Sequence, residues 1–138
     1  MFNAQSVITN VMQGNYPPDW HVYYGQEYNG CLFFWTSGRS FTLVILPQGV
    51  VKWVVEEEEA YSWLYFPQID RIQLAQETQI YGVDGDISSN TDYWLDVYCR
   101  NGTYLKWWIE GFFDDAASIG KSIIAAHSYY WQHHRFIP

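Results

Sequence analysis

Residues 93–109 read Tyr93-Trp94-Leu95-Asp96-Val97-Tyr98-Cys99-Arg100-Asn101-Gly102-Thr103-Tyr104-Leu105-Lys106-Trp107-Trp108-Ile109. Two runs rich in aromatic and aliphatic residues flank a turn signal, which predicts an antiparallel hairpin. A three-residue loop Arg100-Asn101-Gly102, with Gly102 in the left-handed region, sets Cys99 opposite Thr103, Val97 opposite Leu105, Leu95 opposite Trp107 and Tyr93 opposite Ile109. That face can point into a core. The reverse face then pairs Asp96 with Lys106, Tyr98 with Tyr104 and Trp94 with Trp108, the opposite-charge and aromatic pairs that stabilise a half-exposed sheet. A two-residue Asn-Gly loop would set Val97 against Lys106 and Asp96 against Trp107, so the longer loop is the better reading.

Directly downstream, over residues 113–131, Ala116, Ile119, Ile123, Ala126 and Tyr130 fall on one helical stripe, with Ser118, Lys121, Ser122 and Ser128 elsewhere. This predicts an amphipathic C-terminal helix lying on the β body. Asp114 or Asp115 can cap its orphan amides. Gly120 weakens such a helix by about 1 kcal/mol relative to Ala, which packing must offset or which marks a close approach to the sheet.

Upstream, Pro47-Gln48-Gly49 read as a three-residue loop pairs Ile45 with Val51, Leu43 with Trp53 and Phe41 with Val55 on an apolar face. Thr42, Val44 and Leu46 then lie against Val50, Lys52 and Val54 on a mixed face that is expected to be only partly covered. Val7, Ile8, Val11 and Met12 sit at helical spacing within residues 3–13 and predict a short helix, ended by Gly14-Asn15-Tyr16-Pro17-Pro18. Strands are predicted at 21–28, 31–36, 40–46, 50–55, 61–66, 69–80, 92–99 and 103–109, with turns between them, including a polar one over 83–91. The expected organisation is a single domain over 1–138: N-terminal helix and Pro-containing linker (1–18), β body (21–109), C-terminal helix (113–131) and tail (132–138).

Composition narrows the class. An aromatic share of 20% favours a mainly β body. Fifteen acidic against seven basic residues give a net charge of −8, which disfavours nucleic acid and anionic lipid as partners. No apolar run approaches a membrane span, and residues 1–14 lack the basic start and apolar stretch of a secretion signal, so a cytoplasmic location is expected. Cys31 and Cys99, both within predicted strands, read as two buried thiols, a disulfide being the alternative.

About seven antiparallel strands in a meander, forming a barrel or strongly bent sheets and closed by one C-terminal helix, resemble the pleckstrin-homology-like fold, including its GRAM-type and bacterial short versions. Tyr65-Phe66-Pro67-Gln68-Ile69-Asp70-Arg71-Ile72 is similar to a strand entry of that family, as is the helix start Phe112-Phe113-Asp114-Asp115-Ala116. The resemblance covers roughly residues 31–131. It implies a scaffold that binds lipids, peptides or proteins, without catalysis. Lipid-binding members carry several Lys and Arg between the first two strands, whereas Ser37-Gly38-Arg39-Ser40 supplies Arg39 alone, so no phosphoinositide binding is expected.

The remaining chemistry-bearing residues read modestly. Glu56, Glu57, Glu58 and Glu59 form a solvated loop tip, or an electrostatic dock for a basic protein. Asp84, Asp86 and Asp92 fail the calcium-loop spacing, because Leu95 stands where a bidentate Glu should close the site. His127, His133 and His134 do not make a tidy pair on one helix face and are read as part of an aromatic C-terminus, with no metal assigned. His21 is isolated. Asn101-Gly102-Thr103 matches a glycosylation acceptor that the hairpin turn explains. No catalytic triad, Cys/His pair or phosphate loop can be assembled, so neither enzyme activity nor a cofactor is expected. Trp35, Trp53, Trp63 and Trp107 read as interior packing, with a ligand pocket as the alternative. The outward Trp94 and Trp108, with Tyr98 and Tyr104 beside them, point to an interaction module that binds a protein partner or self-associates; the alternative is a small barrel carrying an apolar small molecule.

Overall fold

The computed structural model describes residues 2–25, 41–54, 60–83, 85–109 and 116–134. The order is α1 (Ala4–Met12), β1 (His21–Gly25), β2 (Phe41–Leu46), β3 (Gly49–Val54), β4 (Ala60–Tyr65), a 3-10 turn (Phe66–Gln68), β5 (Ile69–Val83), β6 (Asp86–Cys99), β7 (Tyr104–Ile109) and α2 (Ala116–His134). The chain is thus mainly β, with antiparallel strands in two sheets, β1-β2-β3-β4 and β5-β6-β7.

One core joins the inner faces of both sheets to α2. Leu43, Ile45, Val50 and Leu64 come from the first sheet, Ile72, Leu95, Val97, Trp107 and Ile109 from the second, and Ala116, Ile119 and Ile123 from the predicted stripe of α2. Gly120 sits on that stripe because a Cβ there would lie 2.7 Å from Leu74 Cδ1 and 3.0 Å from Ile109 Cδ1. The missing side chain is what lets α2 descend onto the sheet, where its burial offsets the poor helix propensity.

The β6–β7 hairpin has the predicted register, from Tyr93↔Ile109 through Trp94↔Trp108, Leu95↔Trp107, Asp96↔Lys106 and Val97↔Leu105 to Tyr98↔Tyr104. Gly102 has φ +90°, and the Cys99 N–H donates to the Thr103 carbonyl at 2.8 Å, which closes the three-residue loop.

The β2–β3 hairpin departs from expectation by one residue. Its loop is the two residues Pro47-Gln48, with Leu46↔Gly49, Ile45↔Val50, Leu43↔Lys52 and Phe41↔Val54. Gly49 is therefore a strand residue, glycine because a Cβ would fall 2.2 Å from the Leu64 carbonyl oxygen. A one-residue slip moves every β3 side chain to the other face. Val50 and Lys52 thus join the inner face, while Val51 and Trp53 share the outer one with Thr42, Val44 and Leu46. That outer face is covered more fully than expected. Val7, Ile8 and Val11 of α1 pack on Val44, Leu46 and Val51 to form a second cluster, and Asn3 caps α1 by accepting from the Ser6 N–H at 3.0 Å.

Between β5 and β6 the expected long turn over 83–91 is largely strand. The ladder runs without interruption from Ile72↔Val97 out to Val83↔Asp86, with Gly85 at φ +87° in the reversal. At its base, a bulge at Asp70 lets both Ile69 and Ile72 reach the core while Arg71 turns outward opposite Tyr98. The start of the C-terminal helix at Asp114 or Asp115, the strand expected at 31–36, Trp35 and Cys31 lie outside the described residues; Cys99 is a free, half-buried thiol. Among the described residues no helix is long and apolar enough to cross a membrane.

Candidate interaction face

Alternation along β6 and β7 sends Trp94, Asp96 and Tyr98 to the outer face of the second sheet, opposite Trp108, Lys106 and Tyr104. The four predicted aromatics are therefore brought together. The Trp94 and Trp108 ring centroids are 5.3 Å apart and those of Tyr98 and Tyr104 5.4 Å apart, tilted in both cases, as aromatic quadrupoles prefer. Trp108 keeps 43% and Tyr104 51% of its surface in solvent, while Trp94 and Tyr98 are half-buried between neighbours.

Charges are threaded through this ladder. The Lys106 ammonium lies 4.0 Å from the Trp94 centroid and 4.4 Å from that of Trp108, and the Arg71 guanidinium 4.3 Å from that of Tyr98. Both are cation–π placements, favourable by about 0.5–1 kcal/mol each at exposed sites. Asp96 takes hydrogen bonds instead: the Trp94 Nε1–H donates to its Oδ1 at 3.1 Å, and the Tyr104 hydroxyl donates to the same oxygen. Lys106, Arg71 and Asp96 are thus each held by a ring or a ring's donor. Chemically the face offers aromatic area with fixed cations and one anchored carboxylate.

The Asp96 hydrogen bond, which holds the phenol neutral, is the main cause that pushes Tyr104 up to about 12 from 10.0. Because the folded value is raised, the contribution of this contact is fully present below pH 10 and is lost as pH rises through about 12. In a tyrosinate absorbance titration one phenol should ionise late, and Asp96→Asn should return it toward the ordinary range. A titration unchanged by Asp96→Asn would refute the contact.

The other predicted site residues fare differently. Glu56, Glu57, Glu58 and Glu59 lie outside the described residues. His127 is a core residue, its Nε2 2.8 Å from the Ile69 carbonyl that also accepts from Trp131 Nε1 at 2.9 Å. His133 and His134 turn back on the carbonyls of Tyr129 and Tyr130 at 2.8 and 2.7 Å and stack on those rings. Among the described residues, no group of three or more His, Cys, Asp or Glu side chains is placed to hold a metal ion.

Trp63 contradicts the interior reading, and Trp53 meets it in part, packing against the second cluster rather than the main core. Trp63 points out from β4 and is 53% exposed, and Trp53 lies on the outer face of the first sheet, stacked on Tyr61 at 6.2 Å. Of the four tryptophans assigned inward, Trp107 alone among the described residues enters the core between the sheets, where its Nε1–H donates to Ser62 Oγ at 2.6 Å. Arg71 is the residue of the face that sequence reasoning missed. Its signal is the three-residue spacing of Ile69 and Ile72, which only a bulge can reconcile with two inward side chains on one strand.

No protein-family model, curated protein or solved structure matches the chain.

Proposed function

We propose that the chain is a non-enzymatic interaction module that binds a protein partner, or a second copy of itself, through the face built from Trp94, Trp108, Tyr98 and Tyr104. The observation that carries this reading is the exposed, pre-ordered aromatic strip: rings locked by each other, by Lys106, Arg71 and Asp96 lose little entropy on binding. Trp, Tyr and Arg are the side chains that dominate interface energies. Four strands, then three, then a C-terminal helix support reading the scaffold as pleckstrin-homology-like, a barrel type that presents binding surfaces rather than catalytic groups. The interior supports partner binding over carriage of an apolar ligand, because Phe66, Leu43, Leu95, Ile109, Ile119 and Ile123 are fully buried within one core cluster. The acidic run Glu56, Glu57, Glu58 and Glu59 is a second proposed contact, for a basic partner.

The test is the double substitution Trp94→Ser with Trp108→Ser. Both rings lie on the outward face, so melting should fall by only a few degrees, while self-association in sedimentation or affinity for a purified partner drops by at least about thirtyfold, the loss of a ring worth about 2 kcal/mol. A collapse in stability would mean the rings are structural, and undiminished association would remove the face from the interface. A residual association that is salt-sensitive and lost on replacing Glu56, Glu57, Glu58 and Glu59 by Gln would belong to the glutamate run.

A further inference from the structure

Past Tyr93↔Ile109, the last pair with β7 among the described residues, the β5–β6 ladder continues for seven residue pairs, from Glu77↔Asp92 to Val83↔Asp86. At about 3.4 Å per residue this ribbon, two-stranded among the described residues, reaches roughly 24 Å beyond Ile109. Every described residue from Gln76 to Ile80 and from Gly85 to Ile87 is exposed. A lone hairpin of this kind is at best marginally stable in water, so a ribbon of this length is a structure in want of a surface.

Its side chains specify that surface. Ile80 is opposite Ser89 and Ile87 opposite Gly82, so the two isoleucines lie diagonally on one face with no side chain on Gly82 between them. They are 73% and 79% exposed, more than any other large apolar side chain described. On the reverse face Glu77 stands directly opposite Asp92, a like-charge pair that destabilises a sheet unless a cation meets it. Asp86 adds a further negative charge at the tip, and no Lys or Arg occurs between Arg71 and Arg100.

We infer that this ribbon is a docking arm for a basic protein: a cleft with an apolar floor that takes Ile80 and Ile87, and Lys or Arg side chains that meet Glu77, Asp92 and Asp86. A second copy of the chain does not fit, since its net charge is −8 and its own arm is acidic. An anionic membrane is excluded by the same repulsion. The arm's apolar face is the continuation of the core face of the sheet, opposite to the side that carries Trp94 and Trp108. Glu77, Asp92 and Asp86 lie on the side that carries Trp94 and Trp108, so the partner grips both faces of the arm, and it is the isoleucine contact that is separate from the aromatic face and tests the inference whether or not that face binds.

The experiment places the photo-crosslinker benzoylphenylalanine at Ser89 of the full chain in native lysate, with the cross-linked peptide identified by mass spectrometry and that protein then purified. The expected result is a cross-link to a Lys- or Arg-bearing segment of a different protein. Its affinity for the full chain should fall at least tenfold with Ile80→Ser plus Ile87→Ser, and at least tenfold again from about 0.05 to about 0.5 M salt. Thermal melting of that double variant should match the parent, because both side chains are solvent-exposed, and Trp94→Ser with Trp108→Ser should leave the cross-link in place. Cross-linking to a second copy, co-sedimentation with phosphatidylcholine vesicles, binding indifferent to the isoleucines or to salt, or no isoleucine-dependent product at all would each overturn the inference.

Discussion

Ile123→Asp is expected to abolish cooperative folding or to lower the midpoint of a urea or thermal melt by most of its range. Ile123 is fully buried, on the α2 stripe that closes the core shared by both sheets. Removing the isoleucine forfeits about 2–3 kcal/mol of apolar burial. Placing a carboxylate there adds several kcal/mol, whether it stays charged without a partner or takes up a proton. The sum rivals the 5–15 kcal/mol that holds a typical domain together. Ser118→Asp, at an exposed position on the same helix, should change stability by no more than about 0.5 kcal/mol. Equal melts for the parent and Ile123→Asp would show that α2 does not close the core.

What the sequence disclosed about this fold depended on whether side chains could disagree with a wrong register. In β6–β7 they could: a slip would set Lys106 against Val97 and Asp96 against Trp107, so one loop length satisfied both faces. In β2–β3 they could not, because Phe41 to Val54 is apolar on both faces apart from Thr42 and Lys52. Pro47-Gln48-Gly49 fits a two- or three-residue loop equally well. The tie is broken by the approach of the Leu64 carbonyl to Gly49, a contact made by a strand not yet placed when the hairpin is read alone. The penalty for the slip was Lys52 and Trp53 on the wrong faces.

The outer half of the arm, beyond Ile80, was illegible for a different reason. Strand periodicity is a signal of one buried face, and a ribbon wet on both sides has none. Residues 83–91 therefore read as turn chemistry, Asp, Gly, Ser and Asn, although they extend the longest ladder among the described residues. The aromatic face was legible in full except for Arg71, which reaches it through the Asp70 bulge. Trp63 misled because tryptophan in a small domain is normally interior, whereas alternation along β4 sends Ser62 and Leu64 inward and leaves Tyr61, Trp63 and Tyr65 outside.

Lys52 carries the second large effect, and it follows from the corrected register. On the inner face of β3 it is almost fully buried; its Nζ donates to the Trp108 carbonyl at 2.8 Å and lies 4.8 Å from the Trp107 ring centroid. Together with the Trp107-to-Ser62 bond it ties the first sheet to β7. Lys52→Glu should cost about 3–5 kcal/mol, because a carboxylate there faces a carbonyl oxygen and the negative face of an indole instead of a donor's partners. Lys52→Met keeps the apolar stem and removes the buried charge, so the lost hydrogen bond is partly offset by the desolvation no longer incurred, and about 1 kcal/mol is expected. Urea melts of the two variants decide the point: equal losses would mean that stem packing, not charge, is what Lys52 contributes. The Met variant also reports on the interaction face, since the carbonyl that Lys52 holds belongs to the residue whose ring is exposed on the far side of the sheet. With that anchor gone the Trp108 ring should lose order, seen as faster fluorescence depolarisation, and association through the face should weaken by a few-fold while the fold persists.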